Sequence, residues 1–195
     1  MTKRLFDIIF SLLGILFLFP VFIFISILIK IDSSGPVFFL QERVGLNGKL
    51  FKIIKFRSMK EDHKNSLTVT LKNDNRITRI GKKLRKYKID EIPELVNVLV
   101  GDMSFVGPRP DVPGYADLLK GNDRNILKLR PGITSLASIK YSNEEQLLLE
   151  QKDPIAYNND VVFPDKVKMN LNYYENNNIW IDIKIIFATL FALFE

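Results

Sequence analysis

The chain has 195 residues, no cysteine, one histidine and a formal net charge of +6. That length suffices for one domain with a real core, and the missing cysteines exclude disulfide scaffolds and thiolate metal sites, which fits a reducing compartment. The positive charge points to anionic partners: nucleic acid, phospholipid or phosphorylated small molecules.

The first element is apolar. Residues 8–29 carry no charge and follow Lys3 and Arg4. No small-residue cleavage site follows the run, which argues against a secretory signal. As one helix the run would reach about 33 Å, roughly a bilayer core. Pro20 divides it into halves of about 18 Å and 14 Å, each too short to cross. Basic residues flank both sides: Lys3 and Arg4 before, then Lys30, Arg43, Lys49, Lys52, Lys55 and Arg57. The positive-inside rule favours the cytoplasmic face for such charge. Both flanks obey it if the helix enters and returns, so a Pro-broken re-entrant hairpin over residues 1–30 is favoured over a spanning helix.

The stretch "SSGPVFFLQERVGLNGKLFKIIKFRSM" reads as a β-hairpin turning at Asn47-Gly48. In its second arm Phe51, Ile53 and Lys55 share one face, and Lys52, Ile54 and Phe56 the other. Residues 61–75 are polar and read as a loop, with His63 on its surface. "RITRIGKKLRKYK" reads as a basic amphipathic helix, with Ile77, Ile80, Leu84 and Tyr87 at helical spacing. Such a helix can lie on an anionic membrane or beside a phosphate site. "DEIPELVNVLVGD" reads as the next helix, with Asp90 as N-cap, Pro93 in the first turn and Gly101 as stop. Further helices are expected at 143–152 and 164–175. The C-terminus is apolar after Ile179, either a buried core helix or one anchored at a membrane interface by Trp180.

Within this frame the chemistry concentrates in three places. Asp90 and Glu91 are adjacent acids directly after a stretch, residues 79–88, rich in Lys and Arg. Acids in this position are ordinary helix-starting residues. A helix N-terminus also keeps a carboxylate ionised and attracts phosphate, so one acid could attack phosphorus while the other holds a divalent cation. "GDMSFVGPRP" follows, fixing Arg109 between two prolines, a placement suited to bidentate phosphate binding. In "LRPGIT" Arg130 precedes a Pro-Gly turn and the Thr134 hydroxyl is nearby. Fixed cations with a carboxylate pair describe phosphoryl chemistry better than a nucleic-acid surface, which interleaves aromatics with basic groups.

"KFRSM", "DEIPELVNVLVGDMSFVGPRP" and "RPGIT", in this order behind an apolar segment, resemble the bacterial sugar transferase family, the small monotopic phosphoglycosyl transferases. The resemblance runs from about residue 3 to the C-terminus. It implies transfer of a sugar-1-phosphate from a UDP-sugar to polyprenyl (undecaprenyl) phosphate with release of UMP. It also implies Mg²⁺ as cofactor and a place at the start of capsule, exopolysaccharide, lipopolysaccharide or other glycan synthesis. Residue by residue, Asp90 corresponds to the nucleophile that forms a covalent phosphosugar intermediate and Glu91 to the Mg²⁺ ligand. Arg109 corresponds to a phosphate clamp, and Lys55, beside Arg57, to the basic position of the KFRSM segment. Arg85 corresponds to an arginine that holds the bent helix near the site, and Pro20 to the proline of the membrane bend.

The implied fold is α+β and mostly helical, one sugar-transferase domain over 1–195. It comprises the membrane hairpin 1–30, a catalytic part 31–178 with a short β-hairpin and interfacial amphipathic helices around the active site, and an apolar C-terminal helix 179–195. The implied setting is the bacterial inner membrane with the catalytic part facing the cytoplasm. UDP-sugar, polyprenyl phosphate and membrane lipids are the partners, nucleic acid is not, and homo-oligomerisation stays open. Some positions depart from the family pattern. Phe19 stands where many members have Ser before the membrane proline. "RPGITSLASIKYS" replaces "RPGITGWAQVNGR", so Ser135 stands for Gly and Ser138 for Gln. These changes leave the sugar open, with an N-acetylated sugar favoured on family grounds. A non-enzymatic membrane adaptor that binds anionic lipid is the alternative, but it has no need of Arg109 beside the acid pair.

Overall fold

The computed structural model describes residues 2–60 and 76–192. The polar stretch expected to form a loop around His63 lies outside the described residues. Helix α1, Thr2–Asp32, is the one described helix long and apolar enough to cross a membrane. A hairpin follows, β1 (Phe38–Val44) against β2 (Leu50–Phe56) in antiparallel register, Phe38 opposite Phe56. Its connection places Asn47 and Gly48 in the left-handed region, at φ 57° and 79°, as the Asn-Gly signal requires. Helix α2 (Arg79–Lys86), a 3₁₀ turn (Ile89–Glu91) and α3 (Glu94–Val100) come next. Strands β3 (Ser104–Val106) and β4 (Gly132–Thr134) form a short parallel pair. The chain closes with α4 (Leu136–Lys140), α5 (Glu144–Leu149), α6 (Pro154–Tyr157), α7 (Phe163–Asn176) and α8 (Ile179–Ala192).

The sequence places a break at Pro20. The helical backbone instead runs continuously from Thr2 to Asp32, with Pro20 inside it. A proline removes one backbone bond, and the helix continues past it on the bonds of its other residues. Both ends of α1 are bonded to the rest of the protein. At the start, the Lys3 ammonium donates to Val106 O at 2.9 Å, to the Tyr173 hydroxyl at 2.9 Å and to Asp182 Oδ2 at 2.6 Å. Arg4 donates to Val98 O at 2.6 Å and Leu99 O at 2.8 Å, satisfying carbonyls that the end of α3 leaves open. At the other end, Asp32 Oδ2 accepts from Ile80 N at 2.9 Å in the first turn of α2. Between these ties the helix shows apolar side chains outward, Phe17 being 85% exposed.

Four small apolar clusters hold the elements together. Ile25 and Ile29 of α1 meet Phe56 and Leu84, joining the helix to the hairpin and to α2. Ile53 packs with Val98 and Met103, joining β2 to α3. Val106 packs with Tyr173 and Ile185. Val44 packs with Ala116, Ile126, Leu127 and Val167. Burial of residues such as Phe56, Val98 and Met103 contributes about 1.5–3 kcal/mol each relative to exposure.

The β3–β4 pairing brings the two motif loops into backbone contact. Gly107 N donates to Thr134 O at 3.0 Å, and Gly132 N to Pro108 O at 2.8 Å. A Cβ on Gly132 would sit 2.1 Å from Gly107 N, and one on Gly107 would sit 2.1 Å from Arg130 O. Only glycine permits this approach. Gly132→Ala is therefore expected to cost about 3 kcal/mol and to weaken the placement of Arg109. Thermal unfolding of detergent-solubilised protein checks the loss; an unchanged transition would mean that the two loops can separate at little cost.

Candidate active site

The site grows from the segment between α2 and α3. Lys88 takes a left-handed conformation, φ 56°, and the chain then tightens into the 3₁₀ turn that carries Asp90 and Glu91. Helix α3 begins only after Pro93. The expectation that Asp90 caps this helix is corrected: Asp90 precedes Pro93 by three residues and caps nothing in α3. Instead it is 8% exposed, and its Oδ1 is buried without a hydrogen-bond partner.

Glu91 is handled differently. The Lys55 ammonium donates to Glu91 Oε1 at 2.7 Å, and Arg109 Nη2 donates to the same oxygen at 2.7 Å. Lys55 also lies 3.2 Å from Glu94 Oε1, on the first residue of α3. Lys55 is placed by a side-chain splice. Asn97 of α3, 1% exposed, accepts from Ile54 N at 3.0 Å and donates to Lys52 O at 2.8 Å, so α3 is stitched along the open edge of β2. Arg109 is placed by its flanking prolines, whose carbonyls are both engaged: Pro108 O by Gly132 N and Pro110 O by Arg43 Nη1 at 3.2 Å.

These contacts set opposite proton affinities on neighbouring acids. Burial works against charge on Glu91, but Arg109 and Lys55 outweigh it and hold the carboxyl well below its usual range. Arg109 keeps 46% of its side chain exposed, so solvent screens its share more than that of Lys55. Burial, reinforced by the Glu91 charge, raises Asp90 above an ordinary aspartate; Lys55, Arg85 and Lys88 offset part of the rise. Burial pushes Glu94 up to about 7. The charge near Asp90 thus comes from side chains, not from the end of α3.

An open cleft of about 1580 Å³ collects most of the expected residues: Lys55, Arg57, Arg85, Asp90, Glu91, Arg109 and Thr134 all line it. Their situations differ. Arg57 is 4% exposed and donates to Ser33 O at 2.7 Å and Ser33 Oγ at 3.0 Å, which ties the end of β2 to the chain leaving α1. Thr134 shares a 2.6 Å hydroxyl contact with Thr189 of α8. Arg85 lies beside Met59. Arg130 is not among the lining residues; its Nε donates to Gly101 O at 2.9 Å, bracing the end of α3. Pro20 is exposed on α1, away from the cleft lining.

Sequence reasoning missed Glu94, Asn97, Arg43 and Asp111. Glu94 was findable, because it follows Glu91 by three residues and Pro93 starts a helix that keeps both acids near Lys55. The other three depend on pairing between distant segments and leave no local signal.

The whole chain, residues 1–195, matches the sequence profile described as bacterial sugar transferase. The chain belongs to this family. It is 37% identical over its full length to an Escherichia coli K12 protein named UDP-glucose:undecaprenyl-phosphate glucose-1-phosphate transferase, covering 40% of that relative. It is 39% identical over 97% of its length to the undecaprenyl-phosphate glucose phosphotransferase of Komagataeibacter xylinus, covering 35% of it. A smaller relative, the exopolysaccharide production protein PSS of Rhizobium leguminosarum bv. phaseoli, is 40% identical and is covered over 92% of its length. The chain thus spans well under half of the first two relatives and nearly all of the third.

The raised Glu94 carboxyl carries a stability consequence. An acid whose folded-state pKa rises from 4.5 to about 7 favours the fold at low pH and opposes it as pH climbs through that interval. Glu94→Gln is expected to remove this dependence. Its thermal transition relative to the parent should be higher at pH 8 than at pH 5 by about 5–10 °C, the shift that about 2.5 kcal/mol produces in a chain of this size. A constant difference across that range would show that Glu94 does not titrate there.

Proposed function

We propose that the protein is a membrane-bound phosphoglycosyl transferase that moves a hexose-1-phosphate from a UDP-sugar to polyprenyl phosphate and releases UMP. The observation that supports this best is the Asp90 carboxylate oxygen, buried without a donor in a cleft that also holds Lys55, Arg85 and Arg109. A structural aspartate is normally satisfied; an orphaned one beside fixed cations is suited to attack a phosphoryl group drawn in by them.

In this reading an Asp90 oxygen bonds to the phosphorus that carries the sugar. The bond from that phosphorus to the oxygen bridging to the uridylyl phosphate breaks, and UMP leaves with the bridging oxygen. A phosphate oxygen of the polyprenyl acceptor then attacks the same phosphorus, the bond to Asp90 breaks, and the carboxylate is restored. Arg109 and Lys55 bind the phosphate oxygens and draw off developing charge. Mg²⁺ fits the donor set. No group of three acids gathers into a metal cluster among the described residues, but this ion needs only one or two carboxylates when substrate phosphates complete its shell. Glu91, one of whose oxygens is left open by the cations, and the orphaned Asp90 Oδ1 would hold it, and it would neutralise charge on the phosphates.

The membrane setting rests on α1. Its two ends are bonded to one protein body while its middle presents apolar side chains outward. With both ends tied to one body, we read α1 as a helix inserted from one face rather than one that crosses, unbroken at Pro20, with the catalytic part at the cytoplasmic surface of the inner membrane. Polyprenyl phosphate, with its tail in lipid and its head at the surface, meets a UDP-sugar from water there. The relatives' names include glucose-1-phosphate transferases and, in Streptococcus agalactiae, a galactosyl transferase, so UDP-glucose and UDP-galactose lead the donors to be tested. UDP-N-acetylhexoses, favoured by the resemblance, join them. The product would open an exopolysaccharide or capsule chain.

Detergent-solubilised protein given these donors, polyprenyl phosphate and Mg²⁺ is expected to release UMP. Asp90→Asn should reduce the rate by about 10³-fold or more, and chelation should stop it; UMP release that survives in Asp90→Asn would remove the nucleophile assignment. Because burial raises Asp90, the rate should fall on acidification at a pH above the ordinary aspartate range, where the carboxylate takes up its proton. For topology, cysteines introduced at Thr2 and Asn47 should react with an impermeant reagent from the same side of the membrane. Labelling from opposite sides would make α1 a spanning helix.

A further inference from the structure

The cleft extends past Arg109 to a second polar group that the transfer chemistry does not use. Asp111 lies two residues after Arg109, fixed at its backbone where Asp111 O accepts from Val44 N at 2.9 Å. Its side chain lines the cleft, and among the described residues no hydrogen bond reaches its carboxylate oxygens. The nearest cations bond to other groups, and of their nitrogens only Arg43 Nε is left without a partner among the described residues. Lys166 is tied to Glu144 at 2.6 Å, and Arg43 donates to Pro110 O at 3.2 Å and Gln41 Oε1 at 2.6 Å. Two acceptor oxygens are therefore left open to the cleft, one step from the guanidinium that would hold a diphosphate.

Such a group selects its ligand by exclusion. A phosphate is repelled by a carboxylate. A ligand that brings hydroxyl donors is attracted, because a carboxylate can take two neighbouring hydroxyls at once. In a nucleotide sugar the parts beside the diphosphate are the hexose and the ribose, both rich in hydroxyls. We infer that Asp111 accepts hydroxyl hydrogen bonds from the hexose of the donor and so helps decide which hexose is used. This rests on the UDP-sugar reading of the site. The hexose is preferred to the ribose because Asp111 sits on the same short turn as Arg109, the arginine that bonds Glu91 of the acid pair, and in the proposed attack the phosphorus at that pair carries the hexose. Burial raises the Asp111 carboxyl to about 6, against the pull of Lys166 and Arg43. It is therefore desolvated yet mostly ionised at neutral pH, the state in which a charged acceptor discriminates most.

The test separates binding from turnover. Calorimetry on detergent-solubilised protein compares UMP with UDP-glucose and UDP-galactose, for the parent, Asp111→Asn and Asp111→Glu, with thermal unfolding as the check on folding. Asp111→Asn keeps the shape and removes the charge. It should weaken binding of the preferred UDP-hexose about tenfold or more while UMP binds as before. Asp111→Glu, which keeps the charge but moves it, should alter the ratio of kcat/KM between the two hexoses. Equal loss for UMP and UDP-hexose would place Asp111 on the ribose and overturn the assignment. Unchanged UDP-hexose binding in Asp111→Asn, or an unchanged hexose ratio in Asp111→Glu, would also overturn it. Parent protein that binds UDP-hexose with this Asp111 dependence but releases no UMP would sink the transfer reaction and leave the hexose contact standing.

Discussion

Two cations converge on a single oxygen of Glu91, and the state of Asp90 follows from that convergence. Lys55 and Arg109 are both committed to Glu91 Oε1, so neither satisfies the neighbouring aspartate, whose Oδ1 stays buried and bare. Adjacent acids in one turn thereby acquire different characters. Glu91 is firmly anionic, and Asp90 is held closer to its protonated form. Leaving a carboxylate desolvated is costly, and a fold keeps such a group only where the surroundings enforce it. Here the enforcement is local, since Lys88 in the left-handed region and Pro93 after the turn leave the 3₁₀ segment little freedom.

The rest of the fold brings the cations to that turn. Asn97 locks α3 to the edge of β2, so Lys55 and Glu91 keep their separation whatever the hairpin tip does. The close glycine contact between β3 and β4 fixes the proline-flanked loop that presents Arg109. Arg4 closes the end of α3, which connects the start of the apolar helix to the element behind the acid pair. Three segments far apart in the chain therefore act on one turn, and each does so through bonds to backbone groups.

Legibility in the sequence followed the range of the interaction. The Asn47-Gly48 turn and the hairpin around it were readable, as was the stop of α3 at Gly101, φ 102°. The helices Glu144–Leu149, Phe163–Asn176 and Ile179–Ala192 were readable from Pro154 and the Asn pair that divide them and from the apolar run after Ile179. The start of α3 was misread because Asp90 carries a strong capping preference, while Pro93, three residues later, is the residue that begins the helix. The acid pair, Lys55 and Arg109 were readable as a group from their motifs. That Arg57 and Arg130 serve as struts was not, because an arginine in a motif looks the same whether it faces substrate or a carbonyl. The parallel pairing of β3 with β4 was invisible, as three-residue strands have no measurable period.

Family membership and the bare aspartate oxygen are independent lines, one from the whole chain and one from a single atom, and both support the proposal of covalent transfer at Asp90. The most direct measurement is the intact mass of the purified protein after incubation with UDP-glucose or UDP-galactose and Mg²⁺, with the polyprenyl acceptor withheld. The account predicts added mass equal to one hexose phosphate, mapped to Asp90 after digestion and discharged when acceptor is supplied. Unmodified protein that nonetheless transfers sugar phosphate once the acceptor is present would contradict it.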